Sequence, residues 1–226
     1  MPTEDGCALH AGRTPERDAT AVAMLRAAGA VIMGKTVTTE LATYAPGKTR
    51  NPHNPEHTPG GSSSGSAAAV AAGMVPLAIG SQTNGSVIRP AAYCGVYGFK
   101  PTHGLVPRGG VLKLSRTLDQ VGMFARTLED IALIAEQMVG YDPLDPDTRL
   151  RARVPFSATM LEDPPLPPLI AFVKGPVWDR AEAETKEAFA ELTAALGDRV
   201  VEVELPSLVS QAHDWHQTIM EAEMAA

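Results

Sequence analysis

Two serine clusters in the first half of this sequence are the residues best suited to covalent chemistry. Residues 60–66 contain only glycine and serine, and residues 81–86 run Ser-Gln-Thr-Asn-Gly-Ser. Asn84 and Gly85 tolerate a positive φ, so the N–H groups of this turn can converge on an anion. A serine that ends such a turn, here Ser86, lies where a nucleophile and an oxyanion hole are both needed.

Short apolar segments connect and surround the two clusters. The alanine-rich residues 67–73 predict a slim helix, and residues 76–80 predict a short buried strand between the clusters. Residues 30–33, which follow a helical stretch, predict another buried strand. Farther on, residues 127–139 predict an amphipathic helix that is capped by Thr127. The alternation of helices and strands indicates an α/β protein.

Composition and charge exclude several classes of protein. The chain has 226 residues, of which 44% are hydrophobic and 20% charged, as in a globular domain with a sizeable core. Its net charge of −7 disfavours nucleic-acid binding through phosphates, and no apolar run is long enough to span a membrane. The two cysteines cannot form a disulfide framework, so we expect buried, reduced thiols and a cytoplasmic location.

The serine clusters and the segments around them resemble the amidase signature family. This family includes bacterial amidases, fatty-acid amide hydrolase and the glutaminase component of the tRNA-dependent amidotransferase. The resemblance is strong over residues 1–140 and weaker over residues 141–226. It implies an incomplete, single amidase-type α/β domain over residues 1–226, with a mixed β-sheet flanked by helices. The residues that carry it are 25–36, 60–66, 85–102, 118–122 and 126–130.

The resemblance implies a catalytic triad of serine, cis-serine and lysine. Ser86 matches the nucleophile, and Ser62 matches the bridging serine in a cis peptide. Ser63 is expected to hydrogen-bond within the relay. The implied reaction is hydrolysis of a carboxamide C–N bond through an acyl-enzyme on Ser86, without a cofactor or a metal. The oxyanion hole is matched by the backbone N–H groups of Thr83, Asn84, Gly85 and Ser86.

Three features depart from the family pattern. Gln82 stands where the family often has an acid, and Arg89 lies one position later than the usual arginine. The missing acid argues against the amidotransferase component, which usually keeps it. Asn84 replaces a common glycine. The family's lysine base lies in a segment upstream of the part that residues 1–4 resemble, so we expect the chain to begin after the base and, with residues 220–226 still helical, to end early.

Other interpretations of the same residues lead to different chemistry. The glycine- and serine-rich turn is also compatible with a flexible linker or a phosphate-binding loop, although no Gly-Lys-Ser/Thr follows Gly65. The six histidines allow a Ser-His-Asp triad. His53 and His57 have the spacing of metal ligands, but they lie in a proline-rich loop and are expected to be solvated or to line a pocket.

The sequence therefore supports one main function and two alternatives. The main one is an amidase that acts on a small-molecule amide, with no nucleic acid or membrane as a partner and with homo-oligomerisation as a further hypothesis. The first alternative is the glutaminase component of a tRNA-dependent amidotransferase. The second is a catalytically silent fragment that serves as a binding or assembly piece.

Overall fold

The computed structural model describes residues 1–225, in which helices and strands alternate. The α-helices are α1 (Thr20–Ala27), α2 (Ser64–Ala71), α3 (Ile88–Cys94), α4 (Leu128–Met138), α5 (Phe156–Met160), α6 (Ala183–Leu196) and α7 (Ala212–Met224). The strands are β1 (Leu77–Gln82), β2 (Tyr97–Phe99), β3 (Gln120–Ala125), β4 (Ile170–Phe172) and β5 (Val200–Glu202). Short 3-10 helices cover Ala8–His10, Glu40–Ala42, Trp178–Arg180, Gly197–Arg199 and Ser207–Gln211.

The chain divides into two compact units. The larger unit comprises residues 1–161 together with the chain from Ala222 onward, and it contains both serine clusters. The smaller unit comprises residues 162–221. The combination of helices with an antiparallel and a parallel sheet confirms the predicted α/β class. The assignment of residues 1–226 to one incomplete domain stays a prediction.

The larger unit is built on a three-stranded antiparallel sheet with the order β1-β3-β2. The central strand β3 is buried along its whole length, and its Gly122 lies opposite Gly80 of β1. Met123 packs into a core with α1 and α4, whereas Phe124 packs into a second core with α2 and α3. Because β3 carries a core on each face, it fixes the position of β1 and therefore of the serines that follow it.

The smaller unit contains a parallel pair of strands connected by a helix. β4 and β5 pair in parallel, and α6 lies between them in the sequence, which is the usual arrangement for parallel neighbours. The rings of Phe172, Trp178 and Phe189 form a cluster with centroids 5.5–5.7 Å apart. Across residues 1–225, no helix is both long and apolar enough to cross a bilayer.

The predicted strand at residues 30–33 is wrong. This segment belongs to no strand of the described structure, and the side chains of Val31 and Met33 are exposed. Four apolar residues favour a strand only where a neighbouring strand supplies hydrogen bonds, and none pairs with this segment in residues 1–225. The predicted cap of α4 is confirmed, because the Thr127 hydroxyl accepts a hydrogen bond from the N–H of Asp130 at 3.1 Å.

Arg108 is a buried cation that ties the loop before β3 to the segment after α4. Its guanidinium pairs with Asp145 at 3.0 Å and with Asp147, and it donates to the carbonyls of Arg116 (2.7 Å) and Asp119 (3.2 Å). Burial alone would raise the pKa of Asp145, but hydrogen bonds from the side chain and backbone of Arg108 outweigh it and lower that pKa to about 2. This network holds Asp119 immediately before β3.

The first prediction concerns this buried pair. Asp145→Asn should lower the free energy of unfolding by about 3 kcal/mol at pH 7, because it leaves the Arg108 charge buried without its main partner. The folded pKa lies below the unfolded value of about 3.9. The contribution of Asp145 is therefore present above pH ~4 and is lost as the pH falls towards 2. Urea unfolding of both proteins between pH 7 and pH 2.5 measures it.

The matched control is the same substitution in an exposed pair. Asp18 pairs with Arg26 at 2.9 Å, and its side chain is 41% exposed, so Asp18→Asn should cost less than about 1 kcal/mol. Equal stability of wild type and Asp145→Asn at pH 7, or a difference that does not shrink on acidification, would contradict this account of the Arg108 network.

Candidate active site

Ser62 lies just before α2, and its backbone is held on both sides. The peptide bond between Gly61 and Ser62 is cis. The Ser62 carbonyl accepts hydrogen bonds from the Thr39 N–H at 3.1 Å and the Thr38 hydroxyl at 3.2 Å. The Gly61 carbonyl accepts one from Arg89 Nε at 3.2 Å. These contacts fix the backbone that presents the Ser62 side chain.

The turn that carries Ser86 connects β1 to α3 and is fixed by two side chains at its start. Gly85 adopts a φ of +116°, which an L-residue rarely adopts. The side-chain oxygen of Gln82 accepts the N–H groups of Val87 (2.9 Å) and Ile88 (3.0 Å), so it closes the turn from the other side. The Thr83 hydroxyl donates to Asp119 Oδ1 at 2.5 Å.

Ser63 joins the two serine segments. Its N–H donates to the Ser86 carbonyl at 3.3 Å. Its hydroxyl donates to the Ser81 carbonyl at 3.2 Å and accepts the Ser81 N–H at 3.3 Å. The Ser63 hydroxyl therefore bonds the backbone of β1, and the bonds it makes there bring the segments of Ser62 and Ser86 together.

Several polar groups at the meeting point have no partner among the described residues. The hydroxyls of Ser62 and Ser86, and the N–H groups of Gly85 and Ser86, make no hydrogen bond within residues 1–225. Ser62 and Ser86 are only 3% and 5% exposed. Since no fully buried side-chain oxygen in residues 1–225 lacks a partner, both hydroxyls reach open space. Unpaired N–H groups at buried positions are rare, so this turn suits an anionic ligand.

Sequence analysis assigned no positioning role to Gln82, Asp119 or Arg89, although all three shape this site. Asp119 accepts from the Thr83 hydroxyl and, through Oδ2, from the N–H groups of Leu114 and Ser115 at 2.8 and 2.9 Å. The detectable signal was an aspartate directly before an apolar stretch. The interpretation that Gln82 and Arg89 make new hydrogen bonds in place of a charged pair agrees with their contacts to the two serine segments.

The histidines that suggested other chemistry lie in different surroundings. His53 Nε2 lies 2.8 Å from the Cys94 carbonyl, and its N–H binds the Asn51 side chain. In residues 1–225, no three side chains of histidine, cysteine, aspartate or glutamate are grouped to hold a metal. Cys7 and Cys94 are free and buried, as predicted, and burial raises the pKa of the Cys94 thiol.

The second prediction tests the Gln82 contact. Gln82→Leu should lower the free energy of unfolding by about 1–3 kcal/mol, because the Val87 and Ile88 N–H groups lose their acceptor and Val87 is fully buried. Gln82→Glu is the matched control, since a carboxylate can accept the same two bonds. Urea unfolding measures stability, and hydrogen exchange at Val87 measures local opening. Unchanged exchange in Gln82→Leu would contradict the role given to this side chain.

Comparison with known proteins gives a consistent result. The family model described as Amidase matches residues 1–226. The chain is 43% identical to the A-type subunit of glutamyl-tRNA(Gln) amidotransferase from Thermus thermophilus over 223 residues, which cover 92% of this chain and 45% of that protein. The chain therefore spans about half the length of the curated relatives that it matches.

Solved structures agree with the sequence relatives. The crystal structure of the corresponding glutamyl-tRNA(Gln) amidotransferase protein from Thermotoga maritima matches with a TM-score of 0.88 and 35% identity, over 100% of this chain and 51% of that one. Native peptide amidase from Stenotrophomonas maltophilia matches with a TM-score of 0.83 and 34% identity, over 99% and 49%. With the match over the full sequence, these likenesses show that the chain belongs to the amidase family.

Proposed function

We propose that this chain carries the nucleophile of an amidase, which hydrolyses a carboxamide C–N bond through an acyl-enzyme on Ser86. One observation carries the proposal. Ser86 is buried, but its hydroxyl and its N–H have no partner in residues 1–225, and they lie on a turn held against the Ser62 segment. A hydroxyl next to unpaired N–H groups is what acyl transfer requires. Membership of the amidase family supports the same chemistry.

In the proposed mechanism, Ser86 Oγ attacks the carbonyl carbon of the amide. The N–H groups of the turn, from Thr83 to Ser86, stabilise the negative charge that develops on the carbonyl oxygen. The Ser86 proton passes through Ser62 to a base, and the leaving nitrogen takes a proton as the C–N bond breaks. Water then cleaves the ester, which releases a carboxylic acid and restores Ser86.

The base implied by the family resemblance is a neutral lysine, and we assign none of the lysines in this sequence to it. Lys100 donates to the Pro101 carbonyl, Lys186 to the Asp179 carbonyl, and Lys174 pairs with Glu202. No lysine in residues 1–225 hydrogen-bonds Ser62 or Ser86. We therefore expect the 226-residue chain alone to turn over amides slowly or not at all, while Ser86 stays open to activated reagents.

The third prediction follows from this division of labour. A fluorophosphonate should phosphonylate the 226-residue chain at Ser86, as measured by intact mass and peptide mapping. Ser86→Ala should abolish the reaction, and Ser62→Ala should slow it on the order of tenfold or more, because a relay or general base contributes roughly 10²–10⁴-fold. Ser207→Ala, which changes an exposed serine of the smaller unit, should have no effect.

Two outcomes would contradict the proposal. Phosphonylation of a different residue, or an unchanged rate in Ser86→Ala, would remove Ser86 as the nucleophile. A folded chain without any reaction would favour the catalytically silent alternative. Fast amide turnover that disappears in Ser86→Ala would keep the nucleophile but show that a base other than the implied lysine operates.

A second candidate is the glutaminase component of a tRNA-dependent amidotransferase. The observation that favours it is the set of relatives named as this component of glutamyl-tRNA(Gln) amidotransferase, including the Thermus thermophilus protein at 43% identity. Gln82 argues the other way, because that component usually keeps an acid at this position. Glutamine hydrolysis that requires partner proteins would favour the amidotransferase, and hydrolysis of simple amides without a partner would favour the amidase. Homo-oligomerisation and a cytoplasmic location stay predictions.

A further inference from the structure

Arg89 places a cation beside both serine segments. It lies in α3, three positions after Ser86, and its side chain is exposed. Its Nε donates to the Gly61 carbonyl at 3.2 Å, so the guanidinium is anchored next to Ser62. A Cβ added at Gly85 would lie 3.4 Å from a terminal nitrogen of Arg89, so the guanidinium also packs against the turn before Ser86.

The terminal nitrogens of this guanidinium have no acidic partner. In residues 1–225, no carboxylate forms an ion pair with Arg89, whereas Arg108 pairs with both Asp145 and Asp147. The neighbouring Gln82 is neutral, and its side-chain oxygen is occupied by two backbone N–H groups. Arg89 is therefore held by one bond at Nε, while the edge that would bind an anion stays free.

We propose that Arg89 forms an anion subsite, and that the substrate is an amide that also carries a carboxylate. A guanidinium is planar and can donate two parallel hydrogen bonds to a carboxylate. Its anchoring at Nε reduces the conformational entropy lost on binding. The chain has a net charge of −7, so an anionic substrate needs a local cation near the nucleophile. The inference rests on the proposed nucleophile Ser86 and specifies the substrate class for that site.

Two acylating probes that differ only in charge test the subsite. Mono-(4-nitrophenyl) adipate carries a free carboxylate, and its methyl ester is neutral. With either probe, Ser86 Oγ bonds to the activated acyl carbon, the ester C–O bond breaks, 4-nitrophenolate leaves, and the serine proton passes to buffer. The rate at Ser86 is followed by intact mass and by 4-nitrophenolate release, and it is divided by the spontaneous hydrolysis rate of the same probe.

The expected result is a charge preference that depends on Arg89. The carboxylate probe should acylate Ser86 on the order of fivefold faster than the ester, the upper range for an exposed ion pair, and the preference should fall with added salt. Arg89→Gln should remove the preference, and Arg89→Lys should keep part of it. Arg17→Gln removes an exposed, remote charge from the 226-residue chain and should keep all of it.

Each other outcome overturns the inference, and the outcomes separate it from the proposed function. Equal rates for the two probes in the wild type, with acylation at Ser86, overturn the subsite and leave the nucleophile in place. A preference that survives in Arg89→Gln assigns the effect to another group. If Arg89→Gln slows both probes equally, Arg89 is only a structural anchor. If neither probe modifies Ser86, the proposed function fails and the subsite fails with it.

Discussion

The contact between the Ser63 hydroxyl and the backbone of Ser81 is the constraint on which the rest of the site depends. It ties the start of α2 to the end of β1 through one donated and one accepted hydrogen bond. The contact requires glycine at position 80, because a Cβ there would collide with Ser63 Oγ and come within 2.9 Å of the Phe124 ring. Phe124 is fully buried and cannot move aside. Close packing of two elements therefore sets where the two remaining serines face each other.

A second set of contacts makes the turn before Ser86 rigid. Gln82 holds the turn from within, and the hydrogen bond from Thr83 to Asp119 holds it from outside. Asp119 is in turn fixed by the buried Arg108, whose carboxylate partners lie after α4. An oxyanion site stabilises a transition state only when its donors are already oriented. The distant charged network thus contributes to function through the position of a single backbone turn.

The sequence predicted the parts of the fold that depend on local signals. The serine clusters, α2, β1 and the Thr127 cap follow from composition, glycine positions and capping chemistry. The central strand β3 was not predicted, because it is buried on both faces and shows no alternation, and Gln120 and Gly122 interrupt its apolar run. The opposite error occurred at residues 30–33, where apolar residues have no strand partner. Partners distant in sequence decide both cases, as they decide the contacts of Asp119.

The most direct test of the central claim is a crystal structure of the 226-residue chain after phosphonylation of Ser86. The account predicts that a phosphoryl oxygen accepts hydrogen bonds from the N–H groups of Gly85 and Ser86 at about 2.7–3.1 Å. It also predicts that the Ser62 hydroxyl lies within hydrogen-bond distance of Ser86 Oγ. A phosphoryl oxygen that faces solvent away from the turn, with the Ser62 hydroxyl out of reach, would contradict it.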